Sequence, residues 1–171
     1  MISVNVETDH MRGSINAPIS IIEYGDYECP YTGMAYPIVK EISNRFNNKV
    51  LFVFRNFPLN YIHPHAQHAA EAAEAAAAQD KFWQMHDYLF EHQNALDDSH
   101  LLQYAKKVGL DLSKFKKDMT GHVYAPLIEK SLKGGIDDGV EGTPTFFVNG
   151  KRYEDSWDLE TLSDFLKTIN P

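Results

Sequence analysis

The sequence predicts an α/β protein: a βαβ unit, then an all-helical block, then a β-hairpin and a closing helix. Three observations predict it. Two short β-rich runs, residues 19–24 and 50–54, flank a segment of helical spacing. Residues 63–139 carry one helical pattern after another. Residues 145–148 and 151–153 then enclose Asn149-Gly150, the strongest short hairpin signal.

The elements follow in order. Residues 19–24 are rich in isoleucine and come after Gly13 and Pro18, so they read as a buried strand. Residues 25–30 form a turn-rich connection, and a helix is expected from about Tyr31. Met34, Ile38, Ile42 and Phe46 recur every four residues and are expected to share one face, with Pro37 interrupting the helix. Residues 50–54 are almost wholly apolar, as central parallel strands are, which makes the first unit a right-handed βαβ.

Residues 64–79 are rich in alanine and glutamate, a strong intrinsic helix. Further helices are expected at 82–92, 100–108, 112–119 and 123–139, with Pro126 near the first turn of the last. Ser99 and Ser113 are the expected N-caps. Residues 159–169 close the chain as a helix, with Leu159, Leu162 and Leu166 on one side. The predicted division is an α/β domain of residues 1–62 and 140–171, interrupted by a helical domain of residues 63–139.

Composition narrows the function. Hydrophobic residues make up 43% of the 171-residue chain, enough for a substantial core. The net charge of −8 repels phosphate backbones, so nucleic-acid binding is not expected. No apolar run approaches the ~18–20 residues that cross a bilayer, so no membrane span is expected. The first nine residues lack a basic region followed by an apolar one. The cytoplasm is therefore the expected location, and the periplasm only if a signal peptide has been removed.

A single cysteine, Cys29, excludes an internal disulfide and a cysteine-rich zinc site. A lone cysteine is most often an inert buried hydrophobe. The setting of this one argues otherwise. It stands where a strand ends and a helix begins, where unsatisfied N–H groups and the helix dipole favour a thiolate. The thiolate is the nucleophile of disulfide exchange. Pro30 follows at the helix start, and Pro144 directly precedes a strand. Glu23 sits mid-strand, either exposed by alternation or buried with a raised pKa.

The segments Glu23-Tyr24-Gly25-Asp26-Tyr27-Glu28-Cys29-Pro30-Tyr31 and Gly142-Thr143-Pro144-Thr145 resemble the active-site stretch and cis-proline loop of the DsbA-type thiol–disulfide oxidoreductases. Arg55-Asn56-Phe57-Pro58-Leu59, His63-Pro64-His65-Ala66 and Lys81-Phe82-Trp83 resemble the same family, in the same order along the chain. The resemblance implies a thioredoxin fold with a helical insertion. It implies a catalytic set of Cys29, the nucleophile, Thr32, at the position of the second active-site residue, and Glu23, the buried acid. It implies that Pro30, Tyr31, Thr143 and a cis Pro144 bind substrate, and that Pro37 is the kink proline of the first helix.

Thr32 stands where that family has its second cysteine. The Cys29-Pro30-Tyr31-Thr32-Gly33 variant is similar to the thioredoxin domain fused to some bacterial sodium/proton antiporters. A threonine there removes the resolving thiol. The resemblance then implies monothiol chemistry on protein or peptide disulfides, as in a disulfide reductase or deglutathionylase. A low-molecular-weight thiol would complete the cycle, with glutathione the candidate co-substrate and no other cofactor expected. The competing reading is a non-redox peptide-binding or regulatory module.

His63, His65 and His68 cluster in sequence, but a metal needs a third ligand and supporting contacts that nothing nearby supplies. They read as the polar start of a helix, and no metal site is expected. Tyr31, Tyr36, Phe57 and Trp83 are candidates to line a groove near Cys29, although aromatics at such spacings more often belong to the core. Asp97-Asp98 and Asp137-Asp138 read as solvated charges or caps.

Overall fold

In the computed structural model, which describes residues 1–170, the strand Ile19–Gly25 (β2) lies at the centre of a five-stranded sheet. The edge strand His10–Gly13 (β1) precedes it, and Val50–Asn56 (β3), Thr145–Val148 (β4) and Lys151–Tyr153 (β5) complete the order β1-β3-β2-β4-β5. β2 and β3 run parallel, joined by the helix Pro30–Phe46 (α1), and the remaining pairs are antiparallel. All helices between β3 and β4 belong to one succession: Ala66–Ala77 (α2), Phe82–Glu91 (α3), Asp98–Lys107 (α4), Leu112–Thr120 (α5) and Ala125–Asp137 (α6). Leu159–Ile169 (α7) ends the fold.

Strand alternation splits β2 between two cores. Ile19 and Ile21 join the larger one with Phe52, Phe54, Leu162 and the helices' apolar faces, whereas Ile22 and Tyr24 join a smaller one with Val53, Phe57 and Phe147. Because both faces are covered, β2 and β3 need apolar side chains at nearly every position. Glu23 falls by the same alternation on the side of the larger core.

Strand β1 was not predicted. Its four residues show no apolar alternation, and its position is set by partners distant in sequence. It pairs with β3 in the register His10↔Phe54, and Trp83 Nε1 donates to the Met11 carbonyl at 2.8 Å. Arg12 forks onto Asp87 at 3.1 and 2.8 Å, and the His10 ring stacks on Phe82 with centroids 3.6 Å apart. The helical block thus clamps the edge of the sheet.

Two further expectations need correction. The buried face of α1 is Thr32, Ala35, Val39 and Ile42, and Met34 is exposed. Ile42 of the expected row is buried, and Ile38 and Phe46 pack partly buried against the core; a strict four-residue step overshoots one helical turn by about 40° each time, which leaves only Met34, at the start of the row, off that face. The N-caps of α4 and α5 are Asp97 and Asp111, not Ser99 and Ser113, which lie inside the first turns. Asp111 accepts the Lys114 N–H at 2.9 Å, a bond the serines two residues later are placed too far along to make.

The turn between β4 and β5 is as the sequence predicts. Asn149 and Gly150 have φ of 46° and 80°, the paired positive values of a two-residue type I′ hairpin. Helix α2 buries Ala69, Ala70, Ala72, Ala73, Ala75 and Ala76. With only methyl groups on so many sides, it sits at the centre of the helical block, packed by α3, α4, α5 and α6.

Gly25, the last residue of β2, has no room for a side chain: a Cβ there would lie 2.5 Å from Phe54 Cε2 and 2.9 Å from Thr32 Cγ2. Both neighbours are themselves buried. Gly25→Ala is expected to lower stability by roughly 1–3 kcal/mol through overpacking. Urea unfolding of the two proteins checks this, and an unchanged midpoint would contradict the crowding.

Candidate active site

Cys29 is the N-cap of α1, with φ −68° and ψ 122°, and Pro30 occupies the first helical turn, where its missing N–H costs nothing. The Cys29 N–H donates to the Asp26 carbonyl at 3.1 Å, and the Cys29 carbonyl accepts the Gly33 N–H at 3.0 Å. The thiol faces the loop before β4, with Sγ 3.5 Å from the Thr143 carbonyl oxygen. The register Tyr24↔Thr145 brings the two segments together, and the Thr143–Pro144 bond is cis. Only 3% of the Cys29 surface reaches solvent.

Thr32 is fully buried, and its hydroxyl accepts the Asp26 N–H at 3.4 Å. It therefore braces the loop that carries Cys29. Tyr31, on the same turn, is 64% exposed. The structure thus joins Cys29, Pro30, Tyr31, Thr143 and Pro144 at one end of the sheet.

Glu23 resolves the alternative left by the sequence. It is buried, and burial raises its pKa from 4.5 to about 8. Its Oε1 has no hydrogen-bond partner among the described residues. It borders a cavity of about 100 Å³ with Arg12, Tyr36, Phe52 and His86. Burial lowers the His86 pKa well below its usual value, so that ring is neutral near pH 7, and its Nδ1 meets the Tyr27 hydroxyl at 3.0 Å.

Sequence reasoning missed two residues that hold the site. The first is Asp26, whose buried carboxylate accepts the Glu28 N–H at 2.8 Å and the Leu59 N–H at 2.9 Å. His63 Nδ1 lies 2.7 Å from the same carboxylate. Asp26 at a turn two residues before Glu28 carried the sequence signal of an Asx turn, but not of its link to Leu59. The second is Gln93, whose amide nitrogen donates to the carbonyls of Tyr27 and Cys29 at 2.9 and 2.8 Å. It approaches so closely that a Cβ on Gly33 would lie 2.2 Å from Gln93 Oε1. No local signal marks Gln93.

The three clustered histidines diverge. His63 faces Asp26, the His65 N–H is taken by Glu28 at 2.6 Å, and His68 faces Asp98 at 2.7 Å. Of the four candidate groove aromatics, Tyr36 packs on His86 and Phe90, Phe57 joins the smaller core, and Trp83 holds β1. Only Tyr31 stays exposed beside Cys29. Asp138 caps α6 and accepts the Tyr24 hydroxyl at 2.9 Å.

Residues 5–168 match the family described as Thioredoxin. The chain belongs to that family. This thioredoxin-family chain is similar to the Na(+)/H(+) antiporter NhaA 1 of Salinispora arenicola, 46% identical over 163 residues. The matched region is 95% of this chain but only 25% of that relative. Among solved structures it is similar to oxidised BdbD from Bacillus subtilis, with TM-score 0.85 and 24% identity, covering 96% of this chain and 94% of the other. It is also similar to the thiol–disulfide exchange protein alpha-DsbA2 from Wolbachia pipientis, with TM-score 0.81 and 22% identity, covering 95% and 88%. The fold is therefore the thioredoxin fold with the helical insertion of the DsbA type. No helix of the described residues is long and apolar enough to cross a membrane.

Two predictions follow from the buried carboxyls. Asp26→Ala strands two backbone N–H groups, at about 1–3 kcal/mol each. A loss of roughly 3 kcal/mol is expected in urea unfolding, and a loss under about 1 kcal/mol would mean that the carboxylate does not hold the loop. Glu23 keeps its proton in the folded state up to about pH 8 but loses it near pH 4.5 when unfolded. Its contribution to stability is complete below pH 4.5 and is lost as pH rises to about 8. Wild type should lose stability relative to Glu23→Gln across that window, with a slope of at most about 1.4 kcal/mol per pH unit. Parallel pH dependences for the two proteins would contradict the buried, protonated Glu23.

Proposed function

We propose that this protein catalyses thiol–disulfide exchange through Cys29 alone. The observation that carries the reading is the position of the only cysteine: N-cap of α1, with Sγ facing the Thr143 carbonyl at 3.5 Å. Cys29 stands at the start of α1, and the adjoining cis-proline loop leads into β4. Thr143 and Pro144 belong to that loop, and Tyr31 and Met34 leave apolar surface exposed on the first turns of α1. The thiol–disulfide exchange protein of similar fold supports the same chemistry.

The exchange balances without a second protein thiol. The Cys29 thiolate attacks one sulfur of a substrate disulfide, and the other sulfur leaves as a thiolate that takes up a proton. With a glutathionylated protein as substrate, attack on the glutathione sulfur frees the protein thiol and leaves glutathione on Cys29. A second glutathione thiolate then attacks the bound glutathione sulfur, which releases glutathione disulfide and regenerates Cys29. Thr32 cannot take part in resolution, because its side chain is a hydroxyl and has no sulfur with which to form the disulfide that would expel the bound thiol. The cycle needs a supply of reduced thiol, which favours the cytoplasm as its setting.

A peptide-binding module without turnover is the competing reading, favoured by the 3% exposure of Cys29. Under it, Cys29→Ser binds peptide as well as wild type and nothing turns over.

The test is Thr32→Cys. Both proteins are loaded with glutathione on Cys29, and adduct loss is followed by mass. Wild type should hold the adduct until outside thiol is added. In the variant the position 32 thiolate should attack the Cys29 sulfur, expel glutathione and close a disulfide, favoured by the high effective concentration of a tethered thiol. Equal adduct lifetimes in the two proteins would overturn the assignment of position 32. A wild-type adduct that excess glutathione never removes would overturn the monothiol cycle.

A further inference from the structure

Away from Cys29, three side chains from distant parts of the helical block converge. His68 and Glu71 lie one turn apart on α2, and His122 lies in the connection between α5 and α6. One donor atom from each lies within 4.8 Å of the others. Among the described residues this is the one such group of three histidine, cysteine or acidic side chains. We propose that His68, Glu71 and His122 bind a divalent transition-metal ion, with zinc the best chemical match.

The donor set carries the choice of metal. Two imidazoles and one carboxylate suit zinc, which takes nitrogen and oxygen ligands in tetrahedral geometry, with a fourth position open to water. Hard cations such as calcium and magnesium favour all-oxygen sites. Ligands at about 2.0–2.2 Å from a tetrahedral ion stand about 3.3–3.6 Å apart. Glu71 Oε1 and His122 Nδ1 are already 3.0 Å apart. Closing the remaining distance falls to His68 and His122, which have freedom to turn because their side chains are 40% and 58% exposed.

The surroundings are those of a metal site as well. The Glu71 side chain is 2% exposed, and a carboxyl group withdrawn from water needs a cation or hydrogen-bond donors at its oxygens. Its other oxygen accepts from Gln67 Nε2 at 3.3 Å. His68 Nδ1 faces Asp98 Oδ1 at 2.7 Å, which leaves Nε2 as the nitrogen free for a ligand. A carboxylate on the far nitrogen of a ligating histidine fixes the ring and raises its basicity. His122 takes φ of 48°, a left-handed conformation that turns the loop where its imidazole meets Glu71. The two rings stand 5.6 Å apart at the rim of a cavity of about 300 Å³, which Asp98, Leu101, Phe115 and Met119 also line. An open fourth position would face this space. The ion would tie α2 to the α5–α6 connection.

The test uses the full chain with Cys29→Ser, so that no thiolate competes for metal. Zinc is titrated calorimetrically, and cobalt is added separately to read the visible bands of a tetrahedral site. The expected result is one zinc per chain, a raised melting temperature, and cobalt bands of tetrahedral intensity. His68→Ala and His122→Ala alter partly exposed side chains, so the fold should persist by circular dichroism while zinc affinity falls more than about tenfold. Asp98→Asn should weaken binding by about tenfold with stoichiometry unchanged. Binding weaker than millimolar in the Cys29→Ser chain would overturn the proposal. So would an affinity unaffected by both histidine substitutions.

Discussion

The carboxylate of Asp26 gathers donors from two loops at a point closed to solvent, and the surroundings of Cys29 depend on it. Its backbone carbonyl fixes the Cys29 N–H, its own N–H reaches Thr32, and its side-chain oxygens hold Glu28, Leu59 and His63. The loop after β2 and the loop after β3 are thereby locked to each other. A buried carboxylate is costly unless its lone pairs are filled, and here the filling groups are mostly backbone N–H groups that themselves needed partners. The two requirements satisfy each other. The N-cap geometry of Cys29 is the result.

The helical block supports the same end of the sheet from the other side. Gln93, just beyond α3, holds the carbonyls of Tyr27 and Cys29, and Gly33 leaves the space that its amide occupies. On the far edge, Trp83 and Asp87 of α3 fix β1. Helix α3 therefore stands between the two, and its Phe82, Met85, Leu89 and Phe90 fill the larger core with Phe52 and Phe54 of the sheet. The alanines of α2 make this possible, because a bulkier helix at the centre of the block would push α3 away from the sheet.

Two carboxyls close to each other in sequence meet opposite fates. Asp26, at a turn, finds hydrogen-bond donors and a histidine; Glu23, three residues earlier on a central strand, finds an apolar face with one oxygen unpartnered. Desolvation without compensation favours the neutral acid, which is why the Glu23 pKa rises. The difference arises from backbone geometry. A strand directs its side chain straight into the core, whereas a turn lets the side chain fold back on nearby N–H groups.

Local chemistry alone specifies the α/β class, the order of elements after β1, the hairpin at Asn149-Gly150 and the end-of-strand position of Cys29. Each of these rests on local chemistry: periodicity, turn residues, and a proline after the cysteine. Tertiary structure decided the rest. Strand β1 exists because β3 and α3 hold it, and nothing in His10-Met11-Arg12-Gly13 alone favours a strand. The face of α1 was set by the core that it meets, and the burial of Glu23 by the helices above β2. Asp26 with Leu59, Gln93 with Cys29, and His68 with His122 are pairs 33, 64 and 54 residues apart. Local sequence carries no trace of such pairs, because the free energy that joins them appears only when the intervening chain has already packed.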